Sequence, residues 1–133
     1  MKVNLNFKIM SENIIVTTGI YDLIKDQIRR KKLTSAEEDL LSAELKNAKQ
    51  VLRKELPEDV VTVNRKVTLK DHSKNVEETY IFVDSNKERR KKGKYSITSG
   101  IALATVGYRA GHILNWPFRD GERKIEILKV EKI

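Results

Sequence analysis

The apolar residues between positions 20 and 55 recur every three or four positions, which is the spacing of one face of an α-helix. The first stripe predicts a helix from about Ile20 to Lys32, with Thr17 or Thr18 as its N-cap. The second stripe predicts a helix from about Ala36 to Glu55. The stripes consist of Ile20, Leu23, Ile24 and Ile28, and of Leu41, Leu45, Ala48 and Leu52.

The short segment between the two predicted helices indicates how they pack. Thr34 with Glu37, or Ser35 with Glu38, has the spacing of a capping box that begins the second helix. Pro57 ends this helix, since the residue before a proline avoids helical backbone angles. Two amphipathic helices joined so closely lie antiparallel with their stripes in contact, so we expect a helical hairpin. Residues 1–57 then form a tail and a hairpin, and we assign no function to the tail, Met1–Glu12.

After Pro57 the apolar residues alternate with polar ones, which predicts β-strands. One strand covers about Val61–Leu69, a turn follows at Asp71–Asn75, and further short strands and one short helix complete residues 58–133. Helices that precede a run of strands favour an α+β fold with an antiparallel sheet. The remaining predicted elements are strands at Thr79–Val83, Tyr95–Thr98, His112–Phe118 and Lys124–Val130, with a helix within Gly100–Gly107.

Composition removes several classes of protein. The 133 residues contain no cysteine and only two histidines, which excludes disulfide scaffolds and thiolate or histidine-rich metal sites. No apolar run is long enough to span a membrane, and the first ten residues lack the features of a signal peptide, so we expect a soluble cytoplasmic protein. No catalytic motif or cofactor-binding motif is recognisable, and we expect no catalytic residue, cofactor or metal.

The net charge of +8 suggests a polyanionic partner, either nucleic acid or an acidic protein surface. Two basic runs supply much of this charge, one at Arg29–Lys32 and one at Lys87–Lys94. The second run is a candidate basic patch of Lys87, Arg89, Arg90, Lys91, Lys92 and Lys94, although a solvated loop explains it about equally well. Glu37, Glu38 and Asp39 form an acidic cluster in the first turn of the second helix. Acids there complement the helix dipole, and at a protruding tip they can also be delivered to a metal in another protein.

The sequence after position 95 resembles the C-terminal domain of the Gre-type transcription elongation factors. The resemblance rests on Ser96-Ile-Thr-Ser-Gly-Ile-Ala-Leu-Ala-Thr-Val-Gly-Tyr-Arg-Ala-Gly-His-Ile, on Trp116-Pro-Phe-Arg-Asp-Gly and on Ile125-Glu-Ile-Leu-Lys-Val. It extends over about Val60–Ile133, and the segment that begins at Leu56-Pro57 looks closest to the Rnk branch of this superfamily. The resemblance implies an FKBP-like domain in which an antiparallel sheet wraps a short helix.

The resemblance also implies a function, which is binding to bacterial RNA polymerase at the rim of its secondary channel. Gly100 stands where the family has proline, Thr98 where it often has an acid, and His112 where it has aspartate. Leu41 and Ser42 follow Asp39-Leu40, so the second acid of the family's hairpin motif is missing at that spacing. We therefore expect polymerase binding without strong stimulation of transcript cleavage. The positions that match the family's docking corner are Thr98, Ser99, Gly100, Ile101 and Ala102.

Two other functional classes remain open at this point. FKBP folds include prolyl isomerases, which need an aromatic-lined pocket, and Trp116 is the only tryptophan of this chain. A non-specific nucleic-acid-binding protein could use the basic patch for phosphate contacts, with no aromatic stacking platform beside it. An aromatic-lined pocket at Trp116 would favour the isomerase, and an exposed basic patch would favour the nucleic-acid-binding protein.

Overall fold

The computed structural model of the protein is described for residues 13–133, so the predicted N-terminal tail lies outside the described residues. The first part of the chain forms a short strand, two helices and a second short strand. The second part forms five strands and one short helix. In chain order the elements are β1 (Ile15–Thr17), α1 (Thr18–Arg29), α2 (Ser35–Lys46), β2 (Lys49–Val51), β3 (Arg65–Asp71), β4 (Val76–Val83), β5 (Lys94–Ser96), α3 (Gly100–Thr105), β6 (Ile113–Phe118) and β7 (Gly121–Lys132), with single 3-10 turns at Arg53–Glu55, Ser85–Lys87 and Arg90–Lys92.

Helix α1 begins and ends through local hydrogen bonds. The Thr17 hydroxyl accepts from the Ile20 amide at 3.3 Å, so Thr17 is the N-cap and one of the two predicted caps is confirmed. The helix ends before the predicted Lys32 because Lys31 adopts a left-handed conformation with φ of 56°. The amide of Lys31 then donates to the Ile28 carbonyl, and the amide of Lys32 donates to the Gln27 carbonyl, both at 3.1 Å. This is a Schellman ending in which a lysine takes the position that glycine usually occupies.

Helix α2 begins as predicted and ends much earlier than predicted. The Thr34 hydroxyl accepts from the Glu37 amide at 3.2 Å, and the Glu37 carboxylate accepts from the Thr34 amide at 3.1 Å. This confirms the capping box of Thr34 with Glu37. The helix stops at Lys46, because the next residues form strand β2, which pairs in parallel with β1. Leu52, which was expected on the apolar stripe, is 59% exposed.

The large sheet has the strand order β5-β4-β3-β7-β6, and it is mixed rather than purely antiparallel. Strand β5 runs parallel to β4, with Ile81 opposite Lys94 and Val83 opposite Ser96. Parallel pairing requires the chain to travel back along β4 before β5 begins, and the loop of residues 84–93 provides this return path. The other strand pairs are antiparallel as predicted.

The strand predicted from Val61 begins only at Arg65. Asn64 has a φ of 62°, which interrupts extended backbone before that point. Val60 and Val61 are nevertheless fully buried, and the Val61 amide donates to the Tyr108 carbonyl at 2.9 Å. The alternation of valines therefore reflects burial of a non-strand segment. Arg65 holds this segment in place, since its guanidinium donates to the carbonyls of Pro57 and Val60 at 2.7 Å each.

One hydrophobic cluster joins the helices to the sheet. Ile24 and Leu41, from α1 and α2, are fully buried in the same cluster as Leu103, Trp116 and Ile127 from the second part of the chain. A further close approach occurs at Gly107, where a Cβ atom would come within 2.7 Å of the Ile14 side chain. The two helices are thus packed on the core, while the domain boundary at Pro57 stays a prediction.

No helix within residues 13–133 has the length and apolar character needed to cross a membrane.

Candidate functional site

A groove on one face of the large sheet brings together residues from three of the predicted groups. Its cavity has a volume of about 380 Å³. Ser99, Gly100 and Ile101 of the predicted docking corner line it, together with Arg90 of the basic run and Glu37 of the acidic cluster. The other two predicted docking residues do not line the groove. Ala102 is fully buried, and Thr98 hydrogen-bonds to Ser96 behind the corner.

The corner at the start of α3 is fixed by side-chain hydroxyl groups. Ser99 is the N-cap of α3, and its hydroxyl accepts from the Ala102 amide at 3.4 Å. Ser85, Ser96 and Thr98 form a hydroxyl cluster immediately behind it, with oxygen separations of 2.7 to 3.3 Å. This network joins the loop after β4 to the end of β5, and it therefore sets the direction in which α3 leaves the sheet.

Gly100 occupies the first helical position of α3, where the resemblance leads one to expect proline. Ser99 before it has φ of −67° and ψ of 156°, which are backbone angles that a following proline favours. A Cβ atom at Gly100 would lie 3.7 Å from the Phe118 ring, which is ordinary van der Waals contact. The backbone of the corner would therefore accept a proline at this position, although the chain has glycine there.

The walls of the groove are aromatic rings with guanidinium groups stacked on them. Tyr95 meets Tyr80 edge to face with ring centroids 4.9 Å apart. The guanidinium carbon of Arg90 lies 4.6 Å from the Tyr95 ring centroid, and that of Arg123 lies 4.0 Å from the Phe118 ring centroid. Such stacking holds both arginines in place while part of each guanidinium can still donate hydrogen bonds.

The groove carries both signs of charge. Arg123 donates to Asp71 at 3.0 Å, and Arg119, Glu78 and Asp120 also line the cavity. The Tyr80 hydroxyl donates to the Glu78 carboxylate at 2.6 Å. Burial of the ring, together with this hydrogen bond, raises the pKa of Tyr80 well above its usual value, so the phenol stays protonated. Mixed charge beside aromatic surface is typical of a site that recognises another protein.

The three predicted tip acids have three different environments. Glu37 is only 6% exposed, and its carboxylate accepts from the indole N–H of Trp116 at 3.4 Å as well as from the Thr34 amide. Glu38 pairs with Lys31 at 3.3 Å across the turn between the helices. Asp39 is exposed on α2. The chain therefore presents one of the three carboxylates freely to solvent.

The basic run of the loop before β5 is also divided by its contacts. Glu88 accepts from the Ser96 amide and from Arg90, both at 3.0 Å. The backbone bond from Ser96 and the bond from Arg90 lower the pKa of Glu88. Arg90 is thereby held at the groove, and Lys94 lies within β5. The remaining four cations, Lys87, Arg89, Lys91 and Lys92, are exposed on the loop.

Sequence reasoning missed a second groove, which lies between α2 and β6. Its cavity has a volume of about 790 Å³, and Leu40, Glu44, Tyr108 and Ile113 are among its lining residues. The Tyr108 hydroxyl donates to Glu44 at 2.6 Å, while the other carboxylate oxygen of Glu44 is buried without a hydrogen-bond partner in the described part of the chain. The one sign of this groove in the sequence is the position of Glu44, an acid directly before Leu45 of the apolar stripe.

Residues 13–133 contain no cluster of three or more histidine or acidic side chains that could hold a metal ion.

The sequence pattern of the family described as "Transcription elongation factor, GreA/GreB, C-term" matches residues 56–132 of this chain. The chain belongs to the GreA/GreB family. The match covers the corner at α3, every strand of the large sheet and the lining of the groove apart from Glu37.

Two relatives and a solved structure agree with this family. Transcription elongation factor GreA of Clostridium botulinum (strain Hall) is 33% identical over 132 residues, which is 99% of this chain and 78% of that protein. The GreA of the Eklund 17B strain is 32% identical over the same shares. The structure of a prokaryotic transcription elongation factor GreA/GreB from Nitrosomonas europaea superimposes with a TM-score of 0.65 at 24% identity. The superposition covers 91% of this chain and 99% of that one, and it supports the fold. None of these relatives singles out the Rnk branch, which stays a prediction.

The stability of this GreA/GreB-family protein should depend on pH through Glu44. Burial raises the pKa of Glu44 from 4.5 to about 7, and the hydrogen bond from Tyr108 opposes part of that rise. The folded state therefore binds the proton more tightly than the unfolded state. The resulting stabilisation is complete below about pH 4.5 and disappears as the pH rises to about 7. Glu44→Gln removes this titration, so the variant should gain roughly 2–3 kcal/mol relative to wild type between pH 4.5 and pH 8.

Urea unfolding of both proteins at several pH values measures this difference. Tyr108→Phe serves as the matched variant, because loss of its hydrogen bond should move the pH-dependent drop to higher pH. A difference between wild type and Glu44→Gln that stays constant with pH would show that Glu44 does not titrate in this range.

Proposed function

We propose that this protein binds bacterial RNA polymerase and regulates transcription elongation from the rim of the secondary channel. Family membership supports the class of function, since the similar relatives are named transcription elongation factors. The groove supports the location, because it presents Ser99, Gly100 and Ile101 together on an open face. In this proposal residues 58–133 carry the docking surface, and residues 1–57 carry the helices that face the channel.

The groove has the features of a surface that binds a folded protein. Half-buried tyrosines and stacked arginines are enriched where binding energy concentrates in protein interfaces. Arg90 and Arg123 are already held by Tyr95 and Phe118, so they lose little freedom when a partner arrives. The groove suits a polar helix or turn of the partner that carries charges of both signs.

The burial of Glu37 is the observation that supports weak cleavage stimulation. Cleavage factors of this family deliver two acids to a metal at the polymerase active site. Here Glu37 is bound to Trp116 and Thr34, and Glu38 is paired with Lys31. Each helix has 12 residues, which gives arms about 18 Å long. Asp39 is then the one free acid of the three. Arms of this length suit a protein that occupies the channel entrance and competes there with longer members of the family. They suit delivery of acids to the polymerase active site less well.

The proposal gives the protein no catalytic residue of its own. A prolyl isomerase would need an aromatic pocket, and Trp116 is the residue on which that alternative rested. Trp116 is 2% exposed, and it lines the second groove rather than the docking groove. Its indole N–H is occupied by Glu37. These contacts favour a binding protein over an isomerase.

Docking through the groove is tested with two isoleucines in different grooves. Ile101 lines the proposed docking groove, whereas Ile113 is 47% exposed and lines the second groove. Ile101→Asp should weaken binding to core RNA polymerase at least about tenfold, because it places a charge in the apolar part of the interface. Ile113→Asp should bind like wild type.

Affinities are measured by pull-down and fluorescence titration at moderate salt, with circular dichroism to verify folding. If Ile101→Asp does not fold, the milder Ile101→Ala takes its place. Absence of any association between wild type and polymerase, or an equal loss in the Ile101 and Ile113 variants, would contradict docking through this groove.

Cleavage is tested on backtracked elongation complexes. We expect the wild-type protein to add little transcript cleavage above the intrinsic rate of the polymerase, and we expect Asp39→Ala to leave that rate unchanged. The assay follows shortening of labelled RNA, with Glu37→Gln as a second variant. Robust cleavage that disappears in Asp39→Ala would mean that the tip reaches the active site after all.

A further inference from the structure

The two basic runs of the sequence have different surroundings in the fold. In the run at the end of α1, Arg29 and Arg30 both pair with Asp26, and Lys31 pairs with Glu38. Three of its four cations are therefore paired, and the two carboxylates of Asp26 and Glu38 offset about half of the positive charge of the run. Pairs of this exposed kind stabilise the fold little, but they lower the attraction of the run for an external anion.

The run in the loop before β5 keeps most of its charge unpaired. Arg90 pairs with Glu88 at 3.0 Å and faces the docking groove. The other four cations make no ion pair with any residue of the described chain and are exposed. We call these four residues, Lys87, Arg89, Lys91 and Lys92, the basic loop cluster.

The backbone that carries this cluster is held by several hydrogen bonds. The Arg89 amide donates to the Lys94 carbonyl at 2.8 Å, and the Lys94 amide donates back to Arg89 at 3.1 Å. Gly93, with φ of 76°, closes the turn, and its carbonyl accepts from the Ile81 amide of β4 at 2.9 Å. The loop is thus attached to the sheet, so a ligand does not have to order it on binding.

We propose that the basic loop cluster is a binding site for the phosphate backbone of double-stranded DNA. Residues 84–92 contain no apolar side chain, so they lack the apolar centre of a protein–protein interface. A phosphate backbone needs no such centre, and neutralising phosphates with Lys and Arg releases counterions. Polar loops with four closely spaced, unpaired cations have the chemistry of a backbone contact.

Duplex DNA fits the surroundings better than a single strand does. Binding of single strands normally uses aromatic faces on which bases stack. On the neighbouring strands β5 and β4, the face of Tyr95 is covered by Arg90, and Tyr80 packs against both Tyr95 and Phe82. Because the cluster contacts phosphates and no bases, we expect binding to be independent of base sequence. This site goes beyond the proposed polymerase docking, since it binds DNA without the polymerase.

The test compares two variants with the same loss of charge. Binding of the full chain to a fluorescent duplex of random sequence is measured by anisotropy between about 50 and about 200 mM salt. For wild type, the logarithm of the binding constant should fall with the logarithm of salt concentration with a slope of roughly −3 to −4, which corresponds to about four neutralised phosphates. The cluster variant, Lys87→Gln, Arg89→Gln, Lys91→Gln and Lys92→Gln, should lose most of this slope and at least about tenfold in affinity at the lowest salt.

The control variant neutralises Arg29, Arg30, Lys31 and Lys32, and it should bind within about threefold of wild type because its cations are largely paired. Equal losses in both variants would show that net charge alone attracts DNA. Absence of wild-type binding at low salt, or a clear preference for single-stranded DNA, would overturn the proposal. So would a cluster variant that binds DNA normally but loses polymerase, since the loop would then contact a protein. Normal polymerase binding with loss of DNA binding supports a separate site.

Discussion

The buried carboxylate of Glu37 connects the helical part of the protein to its sheet. One oxygen accepts from the Thr34 amide and thereby begins α2, and the other accepts from the indole of Trp116 in β6. A carboxylate at this depth is costly unless its hydrogen bonds are satisfied, so both partners must be in place together. The same residue thus fixes where α2 starts and which side of the sheet it packs against. Ile24, Leu41 and Trp116 then fill one continuous apolar cluster.

This attachment separates the functions that the two parts of the chain can perform. The helices are held on the core through buried side chains and a capping residue, and their arms are short. The groove on the sheet, by contrast, keeps Ser99, Ile101 and the stacked arginines open to a partner. A member of the GreA/GreB family built in this way can keep the groove open while Glu37 stabilises the fold. The role of Glu37 in the fold is therefore structural, because it caps α2 and joins that helix to β6.

The parts of the fold that local chemistry determines could be predicted from the sequence. The start of each long helix, the turn at Asp71–Asn75 and the short helix after Ser99 depend on caps, turns and apolar spacing within a few residues. The early end of α2 could not be predicted in this way, because Lys49–Val51 leave the helix to pair with β1, which is distant in sequence. The parallel pairing of β5 with β4 could not be predicted either, because it depends on the path of the loop between them rather than on the pattern within each strand.

For the candidate site, too, contacts between residues distant in sequence could not be predicted. The motif around Ser99 predicted the corner, but the burial of Glu37 and the different pairing of the two basic runs depend on residues far along the chain. Val61 illustrates the point in the core, since its alternation with polar residues reflects burial against Tyr108 rather than a strand. Sequence patterns identified which residues carry charge, and the fold determined which of those charges are available.

Equilibrium unfolding followed by two probes tests most directly whether the helices and the sheet form one unit. Trp116 is the only tryptophan, so its fluorescence reports on the junction that Glu37 makes, while far-ultraviolet circular dichroism reports on α1 and α2. If the helices are held as described, the two signals should change together at the same urea concentration. Loss of helical signal before any change in Trp116 fluorescence would show that the helices detach independently, and it would contradict the account.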